Sequence, residues 1–404
     1  MGDRLIIYDS FSGGHHPEFV RLLLENWPPN SGGKSFTKLL LHPKIVAELK
    51  HISLPERVEL VELPQVVTRQ LAEASNHKEH ILIERAFLLD MVEKYKPTDW
   101  LWLAIDAYRT FLSRRPFKKY NVRHRGILFM NHLYRPWKLH NTREQLALRY
   151  KLGKMLRNQS VEKVFVLNDD AGAVKLNKQY KENRFISLPE PIAGERDLIK
   201  TSEERKSAFK EELGWPLDKK IALLFGVLAP RKNPIGCIEA LKLLPSELQK
   251  NYCLVIHGSI SNPPSLEQEV HQAIEETNTQ LAQKLSTSSS PPFVLLQTGR
   301  VIGQELEKRF AACDIVLAPY VNFYSASGVM NHAIQHGKTS VVPHRGLMAS
   351  LSESYQFNEV CIADQPKDIA RAWGLADKRA LDLNKAMQYL ASRTPAQYAK
   401  TLLE

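Results

Sequence analysis

Short apolar runs alternate with longer helix-patterned stretches from the first residues to beyond residue 360, and this alternation constrains the chain more than any other feature. Strands that follow one another through helical crossovers form a parallel sheet covered by helices, an α/β architecture. In the first half the expected strands are 5–8, 37–41, 58–61, 100–104, 127–130, 164–167 and 185–188, with helices at 17–27 and over one long stretch, 68–95. The segment PEPIAGERD then breaks all periodicity, which sets a domain boundary. A fresh series opens at TSEE, where Thr201 is expected to cap a helix and Glu204 to reach back. Strands follow at 221–225, 253–256, 294–296, 315–318, 340–342 and 360–362, and the loop STSSSPP closes the long helix that begins near Leu266. No repeat at a period of roughly 20 to 50 residues is present. The expected form is two doubly wound domains with a cleft between them.

The 404 residues, 43% apolar and 25% charged, suit two ordinary globular domains and exclude disorder. No apolar run reaches the roughly 18 residues of a membrane-spanning helix, and no signal segment is visible, so a cytoplasmic protein is expected. Cys237, Cys253, Cys313 and Cys361 lie far apart in apolar segments and are expected to be buried free thiols. The net charge of +11 is concentrated: between Ala107 and Val161 stand 14 Lys and Arg residues against the single acid Glu144. Tyr108, Phe111, Tyr134 and Trp137 are interleaved among them, so the stretch offers apolar anchors as well as cations. An anionic bilayer and a polyanionic substrate are both suited to it, and so is a solvated face without a partner. Nucleic acid ranks below these, because no known binding module accompanies the charge.

Three loops carry residues suited to chemistry. The first reads YDSFSGGHHPEF: a strand, then Gly13, Gly14, His15 and His16, then a helix with Pro17 at its start. Glycines there allow backbone amides close to a ligand, and the helix N-terminus favours phosphate, although a Gly pair after a strand is as often a plain tight turn. Adjacent histidines without further ligands at supporting spacing do not make a metal site. In LLFGVLAPRKNPIGC, Arg231 and Lys232 stand at the carboxyl end of a strand, where open α/β sheets bind ligands. A diphosphate would suit them, and so would an ordinary surface loop. The third, IVLAPYVNFYSASGVMNHAIQHGKTSVV, leads through Ser325, Ser327 and Gly328 into a helix whose amides form a second phosphate cradle.

In this order, the pieces resemble a glycosyltransferase of the GT-B fold, most like the retaining group known as family four, or group 1. The likeness is strongest over 221–370 and weaker over the first 190 residues, where it rests on Gly13 and Gly14, His132 in ILFMNHLYRP, and SLPEPI. It implies two facing Rossmann-like domains, acceptor-binding at 1–190 and donor-binding at 191–395, with 396–404 as a helix crossing back. By position, Lys232 matches the lysine that neutralises the donor diphosphate, while the expected arginine falls on Val227, leaving Arg231 or Arg300 to substitute. The family's two glutamates fall on Tyr324 and His332, so both carboxylates are missing. The segment from Ser325 to Val329 still supplies phosphate-facing amides, and His132 matches a histidine beside the donor sugar.

The activity so implied moves a sugar from a nucleotide diphosphate sugar to a hydroxyl of a glycan or lipid-linked acceptor, with retention and without a metal or other cofactor. Asp106, at a strand end, is the nearest carboxylate on the acceptor side, and a structural role suits it equally. GGHHPEF also resembles the first loop of inverting GT-B enzymes, which makes His15 or His16 a general base in the alternative. The missing glutamates leave a further alternative, a non-catalytic subunit that binds glycan or nucleotide. The basic stretch 107–161 is expected to hold the protein peripherally on the inner face of an anionic membrane.

Overall fold

The computed structural model describes residues 3–29, 34–129, 132–135, 142–192, 201–260, 265–285 and 292–404. Met130, Trp137 and Lys138, the 193–197 part of the PEPIAGERD connector and most of the STSSSPP loop lie outside them. Two compact units are formed, one from Met1–Ala193 with Ser392–Glu404, the other from Gly194–Ala391.

The first unit holds a seven-stranded sheet in which β1 (Asp3–Asp9), β2 (Lys34–Leu41), β3 (Val58–Glu62), β4 (Asp99–Trp102), β5 (Arg123–Leu128), β6 (Val161–Leu167) and β7 (Phe185–Leu188) are ordered 3-2-1-4-5-6-7. Every pairing is parallel. Side chains alternate between the sheet's faces, and both faces are covered: Leu5 and Ile7 join one apolar cluster, Ile6 and Tyr8 the other. The first cluster includes Phe19 and Leu23 of the helix His16–Glu25 and Tyr398 and Leu402 of the helix Pro395–Leu403, so the chain's last helix belongs to this unit.

The second unit repeats the plan with six parallel strands, β8 (Lys220–Phe225), β9 (Tyr252–Gly258), β10 (Val294–Thr298), β11 (Ile315–Leu317), β12 (Thr339–Pro343) and β13 (Asn358–Cys361), ordered 10-9-8-11-12-13. Ala222 and Leu224 of β8 face one cluster, Ile221, Leu223 and Phe225 the other. At about 1.5–3 kcal/mol for each fully buried Leu or Ile, these central strands dominate the burial. In each sheet the order reverses beside the first strand, between β1 and β4 and between β8 and β11. Such a switch point opens a crevice at the carboxyl ends of the strands.

Two local expectations are corrected. The stretch 68–95 is two helices, Gln65–Glu73 and His77–Tyr95. Between them the Asn76 side chain accepts from the Glu79 amide while the Glu79 carboxylate accepts from the amide and hydroxyl of Ser75, so a reciprocal cap starts the second helix. In TSEE the cap is Ser202, whose hydroxyl accepts from the Arg205 amide, and the helix begins at Glu203. The one-residue shift leaves Thr201 outside. All four cysteines are free and buried, and burial pushes the thiols of Cys253, Cys313 and Cys361 up to about 12.

Candidate active site

In the second unit the switch point is occupied by a lysine. Lys232 leaves a 3-10 turn at Pro230–Lys232, is 5% exposed, and donates from Nζ to the Phe225 carbonyl at the end of β8 (3.2 Å) and to the Tyr320 hydroxyl beyond β11 (2.6 Å). An ammonium has three N–H donors, so one remains for a ligand. Gly226 makes room: a Cβ there would stand 3.2 Å from Nζ and 4.0 Å from Val329. Arg231 is exposed, with its guanidinium 5.3 Å from the Phe323 ring centroid. Arg300 is likewise exposed, in the turn after β10.

The helix Gly328–Gln335 opens beside this lysine. Its N-cap residue Ser327 makes no side-chain cap bond, and its hydroxyl turns to Tyr320 instead (3.4 Å). The amides of Gly328 and Val329 therefore keep their donor capacity, while that of Met330 donates to the Ser327 carbonyl (3.0 Å), and a side chain at Gly328 would meet open space. Tyr324 is fixed by its backbone: its carbonyl accepts from the Leu347 amide, and Gly346, at φ 99°, lies so close that a Cβ would approach the Tyr324 Cα to 2.9 Å. Ser325 lies half-buried in the same loop.

A carboxylate from another element meets this helix. Glu307, on the helix Gln304–Ala312, lies 3.4 Å from His332 Nδ1 and 2.5 Å from His336 Nε2. Burial opposes ionisation, but the two imidazole donors outweigh it and hold the Glu307 carboxyl near 2. Sequence reading missed this residue because only tertiary packing joins position 307 to position 332.

In the first unit, the loop after β1 gathers the other candidates. Asp9, with a fully buried side chain, accepts from the Phe11 amide (3.0 Å) and lies 2.6 Å from His16 Nδ1, which leaves Nε2 of His16 for a substrate. Burial pushes the Asp9 carboxyl above its usual range, against the pull of His16. His15 packs its ring on Phe129, His16 and Phe19 at 4.5, 4.7 and 4.8 Å, and loss of water there, with His16 beside it, lowers its pKa. Gly13 and Gly14 are exposed, and a side chain at either would meet nothing within 4 Å. Asp106 sits in the 3-10 turn Ile105–Tyr108 after β4, where Oδ1 accepts from the Phe129 amide at 3.2 Å. Under the loop, the fully buried Glu84 accepts from Tyr8 (2.6 Å) and Tyr108 (2.9 Å), and Tyr108 reaches Ser10 at 3.0 Å.

His132 stands with a different set. Its Nε2 lies 3.0 Å from the Gln179 amide nitrogen in the last turn of the helix Asp170–Tyr180, and burial with the nearby Arg149 lowers its pKa to about 4. Among the described residues no three His, Cys, Asp or Glu side chains are placed to hold a metal ion.

The two switch-point sheets define a GT-B architecture, and solved structures of that kind match nearly the whole chain. A glycosyltransferase from Rickettsia africae has a TM-score of 0.68 at 14% identity, covering 99% of this chain and 96% of that one. Anabaena HepE in complex with UDP has a TM-score of 0.63 at 15% identity, covering 100% and 96%. WaaG, a glycosyltransferase involved in lipopolysaccharide biosynthesis, has a TM-score of 0.58 at 15% identity, covering 98% and 95%. At these identities the likeness speaks for the fold alone. No curated protein matches the chain. Residues 205–319 match the family model described as glycosyl transferases group 1, and they contain Lys232 and the strands β8 to β11. Over those residues the chain is similar to that group.

Proposed function

We propose that the protein moves a sugar from a nucleoside diphosphate sugar to a hydroxyl of a glycan or lipid-linked acceptor, in polysaccharide biosynthesis on the cytoplasmic side of a membrane, where it is peripherally held. The observation that carries this reading is Lys232, a buried cation between the ends of β8 and β11 with a donor to spare. Breaking the bond between the anomeric carbon and the diphosphate oxygen leaves charge on the diphosphate. Lys232 and the amides at Gly328 and Val329 offset that charge, in a role worth several kcal/mol where water is excluded. No metal ion is needed for this step. Complexes of Anabaena HepE with UDP and with UDP-glucose make uridine nucleotides the first donors to test.

Retention follows from the likeness to the retaining group and asks for no protein nucleophile. The contact between Asp9 and His16 favours a second reading, in which His16 Nε2 takes the proton of the acceptor hydroxyl and the product is inverted. A thermal-shift panel of UDP, GDP, ADP, CMP and their common sugars tests the donor site, since ligand at 100 times its dissociation constant adds about 2.7 kcal/mol. No shift with any of them would remove the donor reading and favour a non-catalytic subunit. Anomeric NMR of the product separates retention from inversion. With inversion, Asp9→Asn should cost at least tenfold in kcat; with retention the same change should leave the rate within a few fold.

A further inference from the structure

We infer that the outward face of the helix Thr142–Leu156, with the adjoining corner at Arg114 and Arg115, is a docking surface for an anionic lipid bilayer. The inference deepens the lipid-linked acceptor reading and rests on it for its purpose, but the surface stands on its own observations.

The structure divides the basic stretch in two. Part of it is turned inward or neutralised: Arg109 and Arg125 are buried, Arg123 and Arg125 meet Asp99 at 2.8 and 3.6 Å, and Lys119 meets Glu93 at 3.1 Å. The stretch's single acid, Glu144, lies 2.5 Å from Arg135. What remains exposed converges. At 100° per residue, the exposed Arg143, Leu146, Tyr150, Lys151 and Lys154 fall within an arc of about 140°, while Gln145, Leu152, Met155 and Leu156 face the core. Arg157 follows at the helix end, where its carbonyl accepts from Arg115 (2.8 Å), and Asn158 bonds the Leu112 carbonyl (3.0 Å), so Arg114 and Arg115 join the same corner.

The centre of this face identifies the partner. Leu146 and Tyr150 are 54% and 60% exposed one turn apart, and Lys154 lies 5.3 Å from the Tyr150 ring. A phosphate backbone has no use for a presented leucine. An interfacial surface does: the apolar pair sinks below the headgroups while the long cationic side chains flank it and reach the anionic charge.

The test is co-sedimentation of the full chain with vesicles of phosphatidylcholine, with and without a third of phosphatidylglycerol, at low and high salt. Pelleting is expected only with the anionic vesicles and is expected to fall at high salt. The variant with Lys151→Gln, Lys154→Gln and Arg157→Gln should bind about 100-fold more weakly. A control with Lys175→Gln, Lys178→Gln and Lys181→Gln, exposed cations elsewhere in the same unit, should bind as the wild type does. No pelleting at low salt, or equal pelleting of the two triple variants, would overturn the proposal. Duplex DNA that outcompetes anionic vesicles would assign the face to nucleic acid and overturn it equally. Donor turnover measured in solution on the same variants should stay at the wild-type rate. Pelleting without any turnover in the wild type would strike the proposed activity and leave this surface standing.

Discussion

At the scale of single residues, the site depends on where a few charges are held. Lys232→Met keeps the side-chain volume but removes the cation between Phe225 and Tyr320, so transfer should fall about 100- to 1000-fold, the usual cost of losing one preorganised electrostatic partner. A rate within threefold of wild type would mean the diphosphate lies elsewhere. Glu307 gives a pH prediction. Its carboxyl is held near 2, below the usual range, so its stabilising effect is complete above about 4.5 and drains as pH falls toward 2. The denaturation midpoints of wild type and Glu307→Gln should therefore converge as pH falls from about 4.5 toward 2. A gap that does not close on acidification would refute the pairing. Lys232 is legible in the sequence because a basic pair ends a strand-turn segment. Its partners are not: Tyr320 lies 88 residues away, and the contact of Asp9 with His16 requires the βα turn to fold back on its own strand.

Elements are legible wherever an apolar period sets them, and misread where a cap overrules the period. Most strands lie over runs that the alternation marks, because strands buried on both faces are largely apolar. β5 is a correction, running Arg123–Leu128 where 127–130 is expected, since its polar start at His124 and Arg125 is buried as well. Residues 68–95 read as one helix because the apolar pattern continues on both sides of Asn76, and only the cap chemistry of Ser75, Asn76 and Glu79 reveals the break. Asn76→Ala should accordingly cost about 1 kcal/mol. The measurement is urea unfolding with an unchanged slope, and an unaltered midpoint would show that tertiary packing alone starts the second helix. The same logic explains Ser202: two adjacent hydroxyl residues compete for one cap, and composition does not decide between them.

At the scale of the molecule, the chain leaves the first unit after β7 and comes back to it for its last residues, so the apolar cluster on one face of the first sheet is complete only when the end of the chain has returned. Arg393 anchors the return by donating to Asn168 (2.6 Å) and accepting through its carbonyl from the Ile192 amide (3.0 Å). The helix Pro395–Leu403 then buries Tyr398, Ala399, Leu402 and Leu403, with the Tyr398 ring 5.6 Å from that of Phe19. Three large apolar side chains at about 1.5–3 kcal/mol each amount to much of the 5–15 kcal/mol by which an ordinary domain is stable. Removal of 392–404 should therefore unfold or loosen the first unit and spare the second, whose core contains none of these residues. Hydrogen exchange reads this directly. Amides of β1 and the helix His16–Glu25 should lose protection in the truncated chain, while those of β8 and β9 keep it. Equal loss in both units would show that they unfold as one cooperative body, and unchanged protection of β1 would show that the returning helix is an accessory to the first core.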